Sequence, residues 1–194
     1  MSFSITEFKA NGLILGGARP TNFQVDIFVP FSSPNASRVK FLCRAASIPP
    51  APLDAVPVPY FGRRIKVAGD RDFPDWTVTI MNDEDYAIRV MLENWSNKMN
   101  ALISNKMDPA MFPTAYKSTA TVTQFDRVGT TRRVYQFQGI FPTLVDQIPL
   151  DWDQTNTIEQ FDVTFAYDLW VPDNSVSTGP DDYNPVLASD GIQS

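Results

Sequence analysis

Apolar and polar residues alternate along most of this chain, and that period of two is its dominant pattern. Phe23, Val25, Ile27 and Val29 face one way, with Gln24 and Asp26 opposite. Trp76, Val78 and Ile80 alternate with Thr77 and Thr79. Phe161, Val163, Phe165, Tyr167 and Leu169 alternate with Asp162, Thr164 and Asp168. Such alternation fits strands with one buried face, and the β-branched and aromatic content supports it. Weaker patterns predict strands over 38–46, 63–67, 118–125, 133–140 and 144–148. Gly69-Asp70 then reads as the turn after the 63–67 strand, and 127–132 as a hairpin turn with a charged rim. A period near 3.6 occurs once: Ile88, Met91, Leu92, Trp95, Met99 and Leu102 form one stripe, with Arg89, Glu93, Asn94 and Lys98 off it. The helix is expected to start near Asp83, capped by Asn82 or Asp83, with three acids at the positive end of its dipole. With a single convincing helix, a βαβ parallel sheet is not expected, and the fold is expected to be mainly β.

Two segments break the pattern. "IPPAPLDAVPVPY", Ile48 to Tyr60, holds five prolines in thirteen residues. Proline removes ladder donors and stiffens the chain, so this is expected to be an extended arm and not a sheet element. It carries Ile48, Leu53, Val56 and Val58, and a stiff apolar arm is expected to dock on its own domain or on a neighbouring subunit. The other is 173–194, with Asp173, Asp181, Asp182 and Asp190 and no Lys or Arg. The expected organisation is an N-terminal arm (1–17), a β domain (18–172) and an acidic, flexible tail (173–194).

Composition narrows the chemistry. The 194 residues hold no His and one Cys, Cys43. That removes the usual general base and the commonest zinc ligand, and makes an intramolecular disulfide impossible. Cys43 lies in an apolar run and reads as a small core hydrophobe. The start of the chain has no cationic segment followed by a long apolar run, so no signal peptide is expected, and no stretch suits a membrane helix. Net charge is −6, and without the tail the body stands near −2. That is a poor field for gripping phosphate. No phosphate loop, nucleophile elbow or metal-ligand spacing occurs. Asp70, Asp72 and Asp75, the triplet Asp83-Glu84-Asp85, and Asp151 with Asp153 could in principle serve as paired acids. "DRDFPD" lacks calcium-loop spacing, and the triplet is explained by a helix start. No enzymatic role, cofactor or metal is expected. The four tryptophans, Trp76, Trp95, Trp152 and Trp170, are read mainly as core.

Four stretches in order, "ARPTNFQVDI" (18–27), "GRRIKVAGDRDFPDWTVTIMND" (62–83), "PLDWD" (149–153) and "IEQFDVTFAYDLW" (158–170), carry a resemblance. The chain resembles the tail tube proteins of contractile-tailed bacteriophages. The segment before Ala18, the insert at 31–36 and the tail after Trp170 depart from that pattern. The resemblance implies two packed antiparallel sheets, a β-sandwich or barrel-like body with one flanking helix. It also implies six copies closing a ring around a continuous lumen barrel. Stacked rings would form the inner tail tube, the conduit for DNA ejection, surrounded by a contractile sheath. Implied partners are the sheath protein, baseplate or tube-initiator and terminator proteins, and a tape measure protein in the lumen. DNA would pass without sequence-specific binding, and the protein would be assembled in the host cytoplasm and reside in the virion. Pro49, Pro50, Leu53, Val56, Pro57 and Val58 would form an arm reaching the next ring. Arg63, Arg64, Lys66, Asp70 and Arg71 would make charged contacts with a ring or the sheath. A tube initiator of the same fold, the tube of a contractile injection system, and a carbohydrate-binding β-sandwich are the alternatives.

Overall fold

The computed structural model describes residues 17–31 and 38–173. The expected arm before Gly17, most of the insert at 31–36 and the tail after Asp173 lie outside the described residues. Among the described residues the strands are β1 (Phe23–Ile27), β2 (Cys43–Ala46), β3 (Leu53–Tyr60), β4 (Arg63–Arg71), β5 (Trp76–Met81), β6 (Ser118–Phe125), β7 (Thr131–Val145), β8 (Gln160–Ala166) and β9 (Leu169–Asp173). The helices are a single turn α1 (Val39–Leu42), the main helix α2 (Ala87–Met99) and a single turn α3 (Pro113–Tyr116). Every strand pairing is antiparallel.

Two leaves share β7. Its first part lies between β6 and β9, and β1 extends that leaf beyond β6. Its last residues, Phe141 to Val145, pair instead with β8, and β5 and β2 complete the second leaf. Gly139 marks the switch: its φ is +70°, and the register with β6 steps over it. A Cβ there would fall 2.1 Å from Asp168 Oδ2, whose carboxylate accepts a bond from Lys117. The expected strands at 133–140 and 144–148 are therefore one bent strand. Likewise, the alternation over 161–169 is two strands. Tyr167-Asp168 carries the chain from one leaf to the other, and alternation is blind to a change of partner.

The core lies between the leaves and under α2. Trp76 stacks on Phe137 with ring centres 4.4 Å apart, and Phe137 meets Tyr167 edge-on at 5.0 Å. Trp76, Val78 and Ile80 from β5 and Phe161, Val163 and Phe165 from β8 are buried, as their alternation predicts. The helix contributes Ile88, Met91, Leu92 and Trp95, with Met99 half-buried. Leu102 lies past its end and is exposed. The helix begins at Ala87, four residues later than expected, with Tyr86 in a left-handed conformation at the cap. Arg38 pairs with both Asp83 and Asp85, and Asp85 Oδ1 accepts the amide of Ala87 (3.1 Å), so the helix start is capped from Asp85. That guanidinium, by hydrogen bond and charge, holds the Asp85 carboxyl below its ordinary range.

Other expectations change. The 38–46 strand is a helical turn followed by β2, because Arg38 and Val39 turn toward the helix cap and the core. Trp95 and Trp76 are core, Trp170 is half-buried, and Trp152 is fully exposed in the loop after β7. Cys43 packs at the margin of the core, and burial pushes its thiol up to about 12.

Truncating Phe137 to Ala should cost about 3–5 kcal/mol, the range for large aromatic-to-Ala changes in cores, and lower the urea midpoint of the unassembled chain. At pH 8 Cys43 should react with iodoacetamide at least tenfold more slowly in the folded chain than in urea, since the thiolate is the nucleophile.

Candidate assembly surface

The proline-rich segment is not an unstructured arm. Eight of its thirteen residues are β3, which pairs with β4 over Leu53↔Arg71 to Tyr60↔Arg63. Eight residues at about 3.4 Å each give a ribbon about 27 Å long. The turn is Phe61-Gly62, with φ of +43° and +77°. Two positive φ values define the two-residue turn whose twist matches a hairpin. Gly69-Asp70, expected to be a turn, lies within β4. The register with β3 shifts there, and a Cβ on Gly69 would sit 3.0 Å from Val56 and 3.1 Å from the Asp54 carbonyl. Glycine is needed for close approach at a bulge, not for a reversal.

The root of this ribbon is held by the body. Trp76 Nε1 donates to the Ser47 carbonyl (2.8 Å) and Trp170 Nε1 to the Pro50 carbonyl (3.0 Å), and Pro49 is buried. Beyond the root, every β3 residue is exposed, and so is every β4 residue except the half-buried Gly69. Both segments of the arm question therefore have an answer: 47–50 docks on its own domain and 53–71 does not.

Directly opposed residues in an antiparallel pair share a face. One face carries Val56, Val58 and Tyr60 opposite Val67, Ile65 and Arg63. The other carries Ala55, Pro57 and Pro59 opposite Ala68, Lys66 and Arg64. The structure thus separates the predicted charged set. Arg64 and Lys66 share the proline face, Arg63 caps the apolar face, and Asp70 and Arg71 lie at the bulge near the root. Phe61 at the tip is 92% exposed and touches Tyr60 edge-on at 4.7 Å. A bulky residue at positive φ stores of order 1–3 kcal/mol of strain, and such outliers cluster at functional positions. Sequence reading missed Phe61, Tyr60, Ile65 and Val67. Their alternation with Arg64 and Lys66 was the available signal.

Several charged groups of the body are occupied locally. Asp126 Oδ1 accepts the Val128 and Thr130 amides (2.8 and 2.9 Å), and its Oδ2 pairs with Arg132 at 2.9 Å. The Thr130 amide, with these partners, lowers its pKa. This is the 127–132 hairpin turn expected from sequence. Asp72 caps the Phe73 amide and Asp151 the Asp153 amide. Among the described residues no group of three or more His, Cys, Asp or Glu is placed to hold a metal ion, and no helix is long and apolar enough to cross a membrane.

A two-leaf antiparallel body with one main helix and a projecting, two-sided hairpin defines a protein built for self-association. The sequence model described as phage tail tube protein matches residues 18–173. The chain is 37% identical over 158 residues to the tail tube protein gp19 of Enterobacteria phage T4, covering 79% of this chain and 90% of that protein. It is 24% identical over 176 residues to the tail tube protein of Serratia phage KSP90, covering 89% of this chain and 98% of that protein. Among solved structures, a chain of the sheath-tube complex of an extracellular contractile injection system superposes with a TM-score of 0.56. It shares 16% identity, with 89% of this chain and 99% of that chain covered. A chain of the anti-feeding prophage baseplate gives 0.60 at 9% identity, with 80% and 95% covered. The protein belongs to the phage tail tube protein family, and its role is structural, in the tail of the virion.

Proposed function

We propose that six copies close a ring through their sheets, that rings stack into the inner tube of a contractile tail, and that β3–β4 is the arm joining one ring to the next. The observation that carries the reading is the hairpin itself. An isolated two-stranded ribbon is marginal in water, and this one exposes both faces, five large aliphatic or aromatic side chains on one of them. Nothing among the described residues covers them, and an exposed apolar face of this kind marks a contact. Head-to-tail contacts close when the rotation closes and extend into a filament when it does not, so one surface type serves the ring and another the stack.

Leu53, Val56 and Val58 then supply buried area, and Pro57 stiffens the ribbon. Pro49 and Pro50 belong to the anchored root and set its direction. Arg63, Arg64 and Lys66 meet acidic groups of the next ring or of the sheath, while Asp70 and Arg71 fix the angle at the bulge. Baseplate or initiator proteins meet one end of the tube, a terminator the other, and a tape measure protein occupies the lumen during assembly in the host cytoplasm. DNA passes without sequence-specific contacts: the body's near-neutral charge suits a wall that does not grip phosphate. The function needs no catalysis and no cofactor. The 37% identity to a phage tail tube protein favours the phage tube over an injection-device tube, whose likeness at 16% concerns the fold.

Replacing 55–68 by a short Gly-Ser link is geometrically simple, because Asp54 and Gly69 already approach each other. The variant should keep the near-ultraviolet spectrum of the folded body yet give no tubes in electron micrographs; normal tubes would sink the arm reading. Reversing Arg63 and Arg64 to Glu should raise the concentration needed for assembly severalfold at 50 mM salt, and the difference from wild type should shrink at 0.5 M as screening shortens to a few ångströms. An unchanged assembly threshold would count against charged docking.

A further inference from the structure

Among the described residues no strand pairs with either outer edge of the hairpin, and the two edges are not equivalent. In a two-residue turn the flanking pair exchanges hydrogen bonds, so Tyr60 and Arg63 form a bonded pair. Bonded and non-bonded pairs then alternate along the ladder. Val58↔Ile65 and Val56↔Val67 are bonded; Pro59↔Arg64, Pro57↔Lys66 and Ala55↔Ala68 are not. At non-bonded positions the backbone N–H and C=O point outward, away from the partner strand. Both prolines therefore fall where they cost β3–β4 no hydrogen bond, and both delete an outward donor from the edge of β3. Of the three outward positions on β3, Ala55 alone keeps its N–H. On β4 the matching positions, Arg64, Lys66 and Ala68, keep every donor and acceptor.

Among the described residues β3 and β4 pair only with each other, as a two-stranded sheet separate from the one that holds β2, β5 and β8. No strand of the described residues lies beside the outer edge of either, so what separates the two edges is their donors: β3 has lost two and β4 none.

We propose that the β4 edge, and not the β3 edge, accepts a strand from a second copy of this chain, hydrogen-bonded at Arg64, Lys66 and Ala68. This rests on the reading of the hairpin as an inter-subunit arm and specifies its mode: strand addition on one edge. A second copy is the occupant because the surface recurs on every subunit of a homopolymer. The apolar face continues across an added strand, and Arg64 and Lys66 draw acidic residues to its proline-side face.

Hydrogen exchange on the wild-type protein tests this without a mutation. The Arg64, Lys66 and Ala68 amides should exchange rapidly in the unassembled chain and at least a hundredfold more slowly in tubes, read by quenching, dissolving and residue-resolved NMR. Unchanged rates at these three amides in tubes would overturn the proposal. If Val56, Val58, Tyr60, Ile65 and Val67 nonetheless become shielded from radical footprinting, the arm reading stands and the edge assignment alone falls. Lys66→Pro gives a second test, since it deletes an outward donor and leaves the hairpin's own ladder intact. It should raise the assembly threshold tenfold or more. Lys66→Gln, which removes the charge and keeps the N–H, should stay within threefold of wild type. Equal effects of the two changes would assign the role to the charge and overturn strand addition.

Discussion

Trp76 connects the core of this protein to its arm. Its ring stacks on Phe137, the residue through which β7 fastens one leaf to the other. Its indole N–H holds the Ser47 carbonyl at the root of the hairpin. A buried tryptophan needs a partner for that N–H, and here the partner is a backbone group that would otherwise be free to swing. Trp170 repeats the device from β9, with the Pro50 carbonyl. The direction of a ribbon about 27 Å long is thus set by two hydrogen bonds whose donors are locked by packing. A small rotation at the root becomes a large displacement at Phe61. That leverage explains why rigid prolines stand between anchor and strand.

The hairpin and the body follow opposite energetic logic. In the body, one-sided strands bury Val78, Ile80, Val163 and Phe165 almost completely, each contributing of order 1.5–3 kcal/mol. In the hairpin the same residue types leave about half their surface in water. Its hydrogen bonds are solvent-exposed and add little, since water competes for each. The chain therefore carries a body with a buried core and, among the described residues, a ribbon that buries almost nothing; on the proposed reading the ribbon gains its stability on contact. Asp54 and Gly69 mark the boundary, at the bulge in the β3–β4 ladder.

What could be read from the residues depended on whether burial was one-sided and local. Trp76-Val78-Ile80 and Phe161-Val163-Phe165 each face a core on one side only, so both stretches were legible as strands, although the second ends at Ala166 and not at Leu169. The 88–99 stripe was legible for the same reason. The start of that helix was not, because Asp83 and Asp85 answer to Arg38, some 45 residues earlier, and no local rule sees that pair. The bend of β7 was hidden because Gly139 looks like any strand-breaking glycine; its meaning lies in the change of partner from β6 to β8. Trp152 shows the converse error: a large aromatic suggests burial, but nothing local placed it in the core. In the candidate site, prolines argued against a strand, yet Pro57 and Pro59 stand two apart, with their cost confined to one edge. Opposite them Arg64 and Lys66 keep the same spacing. The parity was in the sequence; the partner strand that gives it meaning was not.

That parity bears on how a homopolymer stays directional. An exposed hairpin with two competent edges could pair with itself, edge to edge, in either orientation, and every subunit would carry the hazard. Disabling one edge with proline while leaving the other complete removes the symmetric pairing and keeps a head-to-tail one, the kind that propagates. The apolar face cannot make this choice, because aliphatic side chains accept many registers. Two cations at fixed spacing on the opposite face can, since a slip by one residue turns both to the wrong side. On the proposed strand addition, edge, register and direction are settled by Pro57, Pro59, Arg64 and Lys66, two facing pairs in one ribbon.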